Sequence, residues 1–270
     1  MHNRGAADKG RYAMAGRRNW TEQEYLAALV LYLTVPSGRH DSRNPRVREL
    51  AEAMGRTSGS VVMRLANFRA CDPNADTVGL THISQGDAAL WERYLSDPEG
   101  TVEAAIGAFD AVMGSAGLDG ESAVEDVLVA DDLVLPQVTT REAVVSQRVN
   151  QSYFRNALLD NYGERCCVTG ISVPSLLVAS HIKPWAASEG PEERLTAANG
   201  LLLNALHDRA FDQGYLTLDF DGRMRVSSEL PHGGGNDILW RCDGLAVARP
   251  KRLPPAREFV EYHQDVVFKG

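Results

Sequence analysis

Three polar residues stand inside apolar runs between Cys167 and Leu218. His181 follows Leu-Leu-Val-Ala-Ser, Asn199 opens a Gly-Leu-Leu-Leu run, and His207 heads the stretch His-Asp-Arg-Ala-Phe-Asp, which supplies Asp208 and Asp212. Imidazole is the side chain whose ordinary pKa suits proton transfer near neutrality. Carboxylates beside an imidazole suit a divalent cation. A His at a strand end, an Asn, then a His with carboxylates on a helix together offer what one-metal phosphodiester hydrolysis requires. A base activates water, and a cation stabilises the charge that develops on phosphorus and on the leaving oxygen.

These residues need short elements to carry them. The run Leu176–Ile182 reads as a strand bounded by Val173-Pro174-Ser175 and by Pro184, and alternation puts Leu177, Ala179 and His181 on one face. Gly200–Leu203 reads as a second strand. Ala205–Asp212 reads as a short helix ending at Gly214, with Asp208 and Asp212 one turn apart and His207 beside them. Tyr215–Leu218 and Met224–Ser227 form a hairpin turning at Asp221-Gly222. Helices are expected over residues 139–163, with a break near Asn150, and between Pro254 and Phe268, where His263 is a surface or packing residue.

The words SHIKPW, NGLLL and HDRAFDQGYLTLD are similar to the HNH endonuclease family, over roughly residues 150–265. The resemblance implies a ββα-metal fold in which His181 is the general base and Asn199 holds the hairpin or the imidazole. It implies His207 as metal ligand; many relatives place Asp where Ser180 stands, so His207, Asp208 and Asp212 form a ligand pool. Such a site takes Mg2+ or Mn2+, and also suits Ni2+ or Co2+. Lys183, Arg194 and Arg209 are candidates for phosphate contact, and Trp185 for packing. The four cysteines contain no Cys-x-x-Cys pair, so no structural zinc is expected.

The chain carries a net charge of −8, unevenly spread. Residues 1–70 hold an excess of six cationic residues, and no Lys or Arg occurs between Val102 and Thr140. This split suggests a polyanion-facing N-terminal part and an acidic spacer. Thr21 and Glu24 form a capping-box pattern before a helical run. Pro45 starts a second helix that ends at Gly55, and Thr57 or Ser58 caps a third, a helix-turn-helix pattern. DNA contact is expected from Arg39, His40, Arg43, Asn44 and Pro45 in one loop, and from Arg56, Thr57, Ser58, Ser60 and Arg64 on the turn leading the third helix. Trp20 and Trp91 read as core.

The expected class is therefore α+β: a mainly helical DNA-binding domain followed by a ββα-metal nuclease domain. The boundaries are a flexible tail at 1–16, the helical domain at 17–110, an acidic linker at 111–140 and the nuclease domain at 141–270. No apolar run approaches the ~20 residues of a membrane span, and the N-terminus has no apolar signal region, so a soluble, cytoplasmic protein is expected. The layout resembles modification-dependent restriction enzymes of the McrA type. The N-terminal words also resemble sulfur-binding domains that read phosphorothioate DNA. These resemblances imply double-stranded, modified DNA as partner; a homodimer would suit an enzyme whose single site cuts one strand. Two other readings stand beside this one: a non-specific nuclease effector, and a DNA-binding regulator with an inactive HNH fold.

Overall fold

The computed structural model describes residues 18–75, 83–117 and 141–270. The tail at 1–16 and residues 118–140 of the acidic spacer lie outside the described residues. The N-terminal part is a bundle of α1 (Glu22–Thr34), α2 (Pro45–Ala53), α3 (Ser58–Cys71), α4 (Gln85–Ser96) and α5 (Pro98–Ser115). Helix α1 is buried almost all round, from Leu26 to Thr34, because its run Leu-Ala-Ala-Leu-Val-Leu-Tyr-Leu has no polar stripe. It packs against α3 and α5 as the axis of the bundle. The capping box at Thr21 and Glu24 is present. Asn44 caps α2 through Arg46 N, with Pro45 in the first turn, and Thr57 caps α3 through Ser60 N. Between them Gly55 takes φ +61°, a left-handed turn that suits glycine.

Helix α6 (Arg141–Tyr162) is continuous through Asn150 and joins the two halves. Val149 and Tyr153 belong to the N-terminal core, whereas Phe154, Ala157, Leu158 and Tyr162 belong to the C-terminal one. Tyr94 Oη donates to Asn150 Oδ1 at 3.0 Å, so the polar residue at the expected break is satisfied inside the helix bundle. The second part contains β1 (Leu177–His181), β2 (Gly200–Asn204), α7 (Ala205–Asp212), β3 (Leu216–Leu218), β4 (Met224–Val226) and α8 (Arg257–Tyr262). Strands β1 and β2 pair antiparallel with Ala179 opposite Leu202 and His181 opposite Gly200. Gly200 is glycine because α6 presses on it: an added Cβ would come within 2.7 Å of Phe154 and of Leu158. Strands β3 and β4 form the expected hairpin, with Gly222 at φ +75°.

A buried polar knot ties the halves together. Asp72 accepts from Tyr32 Oη at 2.6 Å and from Tyr153 Oη at 2.7 Å. Asn74 Nδ2 donates to Tyr153 Oη at 2.7 Å and to Leu195 O at 3.0 Å, and Ala197 N donates to Asn74 Oδ1 at 2.8 Å. Burial raises the Asp72 carboxyl above the usual range even though both tyrosines hold it down. Asn74 thus fixes the peptide that leads into Asn199.

Three histidines are held neutral by their surroundings. Burial lowers His40, His181 and His263 to about 4 each, against a hydrogen bond that pulls each of them up. His263 is not at the surface; it stacks on Phe211 at 3.8 Å, and its Nδ1 meets Thr217 Oγ1 at 2.9 Å. A histidine whose folded pKa is depressed contributes stability above its unfolded pKa of about 6.5 and loses it as pH falls toward 4. Asp212, raised to about 6, works in the opposite direction over part of this window. The balance predicts net proton uptake on unfolding near pH 5 and a fall in unfolding free energy of a few kcal/mol from pH 7 to 5. Urea midpoints at the two pH values measure it, and His263→Phe should flatten the dependence by about one proton.

Candidate nuclease site

The ribbon β1–β2 lies between two helices, α6 and α7. Neighbouring strand residues point to opposite faces, and this separates Ser180 from His181. The His181 ring lies flat on Phe154 of α6, with centroids 3.8 Å apart, and meets Trp185 edge-on at 5.6 Å. Its Nε2 is 3.0 Å from Arg194 O. A carbonyl only accepts, so Nε2 carries the proton and Nδ1 keeps a free lone pair. Desolvation keeps the ring uncharged at neutral pH. His181 is half-buried, and the structure gives its Nδ1 no hydrogen bond among the described residues.

Asn199 is fully buried and shapes the loop around that ring. Its Oδ1 accepts from Lys183 N at 2.8 Å, and its Nδ2 donates to Lys183 O at 3.1 Å and to Glu193 O at 2.9 Å. It therefore clamps the two ends of the 183–193 loop, and none of these hydrogen bonds is to the imidazole. Arg194, whose carbonyl receives the His181 proton, follows directly on Glu193. The support for His181 is thus a chain running from Asn74 through Leu195 to Arg194, with Asn199 closing the loop.

The α7 ligand pool divides by helical phase. Residues 207, 210 and 211 form the buried stripe of this helix. Asp208 is turned about 100° away from His207, and Asp212 shares the face of Asp208. His207 is therefore buried: its Nδ1 donates to Asn204 Oδ1 at 2.9 Å, and its Nε2 lies 3.0 Å from Cys242 Sγ. The nearby Cys166 Sγ accepts from Asn204 N at 3.2 Å. His207, expected as a ligand beside Asp208 and Asp212, thus points away from them, with its second nitrogen facing a thiol in the interior. Asn204 and Cys242, which engage it, and Cys166, which holds Asn204, were given no role from the sequence. The spacing of His207, Ala210 and Phe211 was the available signal.

Asp208 and Asp212 remain together. Burial raises the Asp208 carboxyl, while the Ser180 hydroxyl and Arg209 draw it back. Asp212 still reaches solvent, yet partial desolvation first and the Asp208 charge second push it up to about 6. Ser180 Oγ is buried, faces Asp208 and has no complete hydrogen bond among the described residues. Two crowded carboxylates beside the Ser180 hydroxyl form an oxygen-rich set suited to Mg2+ or Mn2+, which commonly uses one or two carboxylates and completes its shell with water and phosphate. Among the described residues no group of three or more His, Cys, Asp or Glu side chains stands ready to hold a metal. The protein side of such a site is accordingly this pair with Ser180.

The expected phosphate contacts divide in the same way. Arg209 is exposed on α7, but Lys183 is buried and its Nζ is paired with Glu193 at 2.7 Å. Arg39 and Arg43 are exposed on the loop before α2, and Pro45 is exposed at the first position of that helix. His40 turns inward, with Nε2 2.8 Å from Val35 O and its ring against Tyr32. Asn44 serves as a helix cap and also donates to Arg39 O at 2.8 Å. Arg56 and Arg64, expected to face phosphate, are paired within the helical bundle. Arg56 is spent on Glu24 at 2.9 Å, and Arg64 on the fully buried Asp87. The two guanidiniums lie over Trp20, at 4.4 and 4.5 Å from the ring centroid. Two acids distant in sequence claim them, which helix-turn-helix spacing alone does not reveal. Thr57 is taken up by capping; Ser58 and Ser60 are half-buried in the first turn of α3.

No helix among the described residues is long and apolar enough to cross a membrane. No curated protein matches the chain. The family model described as HNH endonuclease matches residues 166–219, the segment that holds β1, β2, α7 and β3. Residues 166–219, folded as a ββα unit, are thus similar to the HNH endonuclease family, and this similarity supports nuclease activity with DNA as substrate.

Proposed function

We propose that this chain is a metal-dependent DNA endonuclease that hydrolyses phosphodiester bonds at the edge of β1. The observation that carries this reading is the tautomer of His181: Nε2–H is tied to Arg194 O, and the neutral Nδ1 is left as a base. In this reading His181 Nδ1 takes the proton of the attacking water. Asn199 and Arg194 fix the ring, and Phe154 keeps it uncharged by excluding water from one face. Asp208 and Asp212, with Ser180, would hold the divalent cation from the opposite face of the same strand. When bound, the cation would offset charge on the phosphate and the departing oxygen. A phosphate that reaches both sets must lie across the free edge of β1 at Ser180–His181. Incubation of supercoiled plasmid with the protein should give nicked circles with Mg2+ or Mn2+ and none with a chelator in excess. Equal nicking under both conditions would sink the metal-dependent reading.

The choice of DNA is assigned to the N-terminal bundle. We infer a modification-dependent restriction activity, with the Arg39–Pro45 loop as reader. Arg39 and Arg43 supply exposed cations, and Pro45 supplies an apolar wall beside them, a combination suited to a large, poorly hydrated sulfur in place of a phosphate oxygen. A gel-shift panel of unmodified, methylated, hydroxymethylated and phosphorothioated duplexes tests it. Equal binding to all four would favour a non-specific nuclease.

A further inference from the structure

The stretch from Gly244 to Arg257 contains no acid and four cations: Arg249, Lys251, Arg252 and Arg257. It lies beyond the segment matched to the HNH family. Arg257 is engaged over the Phe220 ring at 4.2 Å. Arg249, Lys251 and Arg252 are exposed, and none forms an ion pair with a described residue. In a protein of net charge −8, three unpaired cations within four residues mark a local reversal of the field.

The backbone that displays them is pinned. Lys251 N donates to Asn161 O at 2.7 Å. Asn161, buried on α6, accepts at Oδ1 from Arg252 N at 3.0 Å and from Leu253 N at 3.2 Å, and returns its Nδ2 to Leu253 O at 2.8 Å. Ala248 N donates to Cys167 O at 2.7 Å, and Ala256 N donates to Ala198 O at 2.9 Å, next to Asn199. Pro250, Pro254 and Pro255 narrow the chain's freedom further. The Lys251 stem lies over Gly163, where an added Cβ would meet Lys251 Cε at 3.3 Å. Anchoring at both ends and in the middle gives the strap a fixed shape, so its cations are presented with little ordering cost on binding.

We propose that residues 249–252 form a phosphate-backbone contact for the duplex, separate from the cutting face on α7. The inference rests on the reading of this chain as a DNA nuclease. Asn161, which pins the strap, lies on α6, the helix shared by the two cores. DNA held on the strap would therefore lie beside that helix. Contacts of this kind add affinity without sequence preference, by releasing condensed counterions.

The test is fluorescence anisotropy of the full chain on a duplex of about 30 base pairs, in chelator to block cutting, across a salt series. R249A/K251A/R252A should reduce the slope of log affinity against log salt by about 2.7, roughly 0.9 per lost phosphate contact. R249K/R252K, which keeps the charges, should retain the wild-type slope. An unchanged slope in the triple variant, with its melting curve intact, overturns the strap alone if the wild-type chain binds and nicks DNA. A wild-type chain that neither binds nor nicks overturns the nuclease reading together with it.

Discussion

Asp208→Asn and Asp212→Asn are each expected to lower plasmid nicking by about 10^3-fold or more, roughly 4 kcal/mol in activation free energy. Each substitution keeps the shape of the side chain and removes one anionic oxygen donor from a pair that shares a helix face. Desolvation first and the Asp208 charge second push Asp212 up to about 6, and a bound divalent ion would offset both. His207→Ala should behave differently. It deletes a buried ring bonded to Asn204 and facing Cys242, so it should cost about 2–4 kcal/mol of folding stability. At a temperature where the variant is folded, nicking per folded molecule should stay within about tenfold of wild type. Chemical denaturation and single-turnover nicking, run on the same preparations, separate the two effects. If His207→Ala loses activity as steeply as Asp208→Asn while remaining folded, the division of α7 into a buried and a metal-holding face is wrong.

His181→Ala is expected to reduce nicking by about 10^2 to 10^4, the usual range for loss of a general base. Because burial puts this imidazole at about 4, the wild-type rate should be flat through neutrality and fall only in acid, as Nδ1 becomes protonated. A base of ordinary pKa would instead lose half its rate near pH 6.5. A rate limb near 6.5 that vanishes in His181→Ala would contradict the stacked, desolvated ring. Full nicking by the alanine variant would remove His181 from the chemistry. The conservative change Phe154→Leu probes the same point: loss of the flat ring surface should move the acid limb upward, toward the ordinary value.

Much of the ββα unit could be read from residue order. Alternation in Leu177–His181, the apolar run after Asn199 and the four-residue interval between Asp208 and Asp212 each depend on local periodicity, and the structure has a strand, a strand and a helix there. The caps at Thr21 and Thr57 were legible for the same reason, since a cap bonds within three residues of itself, whereas Asn44 was read as a DNA contact and not as a cap. The HNH resemblance agrees with the family match to residues 166–219.

What the tertiary structure decided was which partner each polar group meets. Arg56 and Arg64 look free in sequence, but Glu24 and Asp87 take them across 32 and 23 residues. Lys183 is claimed by Glu193, and Asn199 by the two ends of a loop. His207 lies on the buried stripe of α7, where it meets Cys242, 35 residues away. The linkage between Asn74 and Ala197 spans 123 residues and no periodicity encodes it. Charge, caps and periodicity are properties of neighbouring residues. Desolvation and ion pairing depend on what the folded chain brings alongside, and these forces set the state of His181, Asp208 and Asp212.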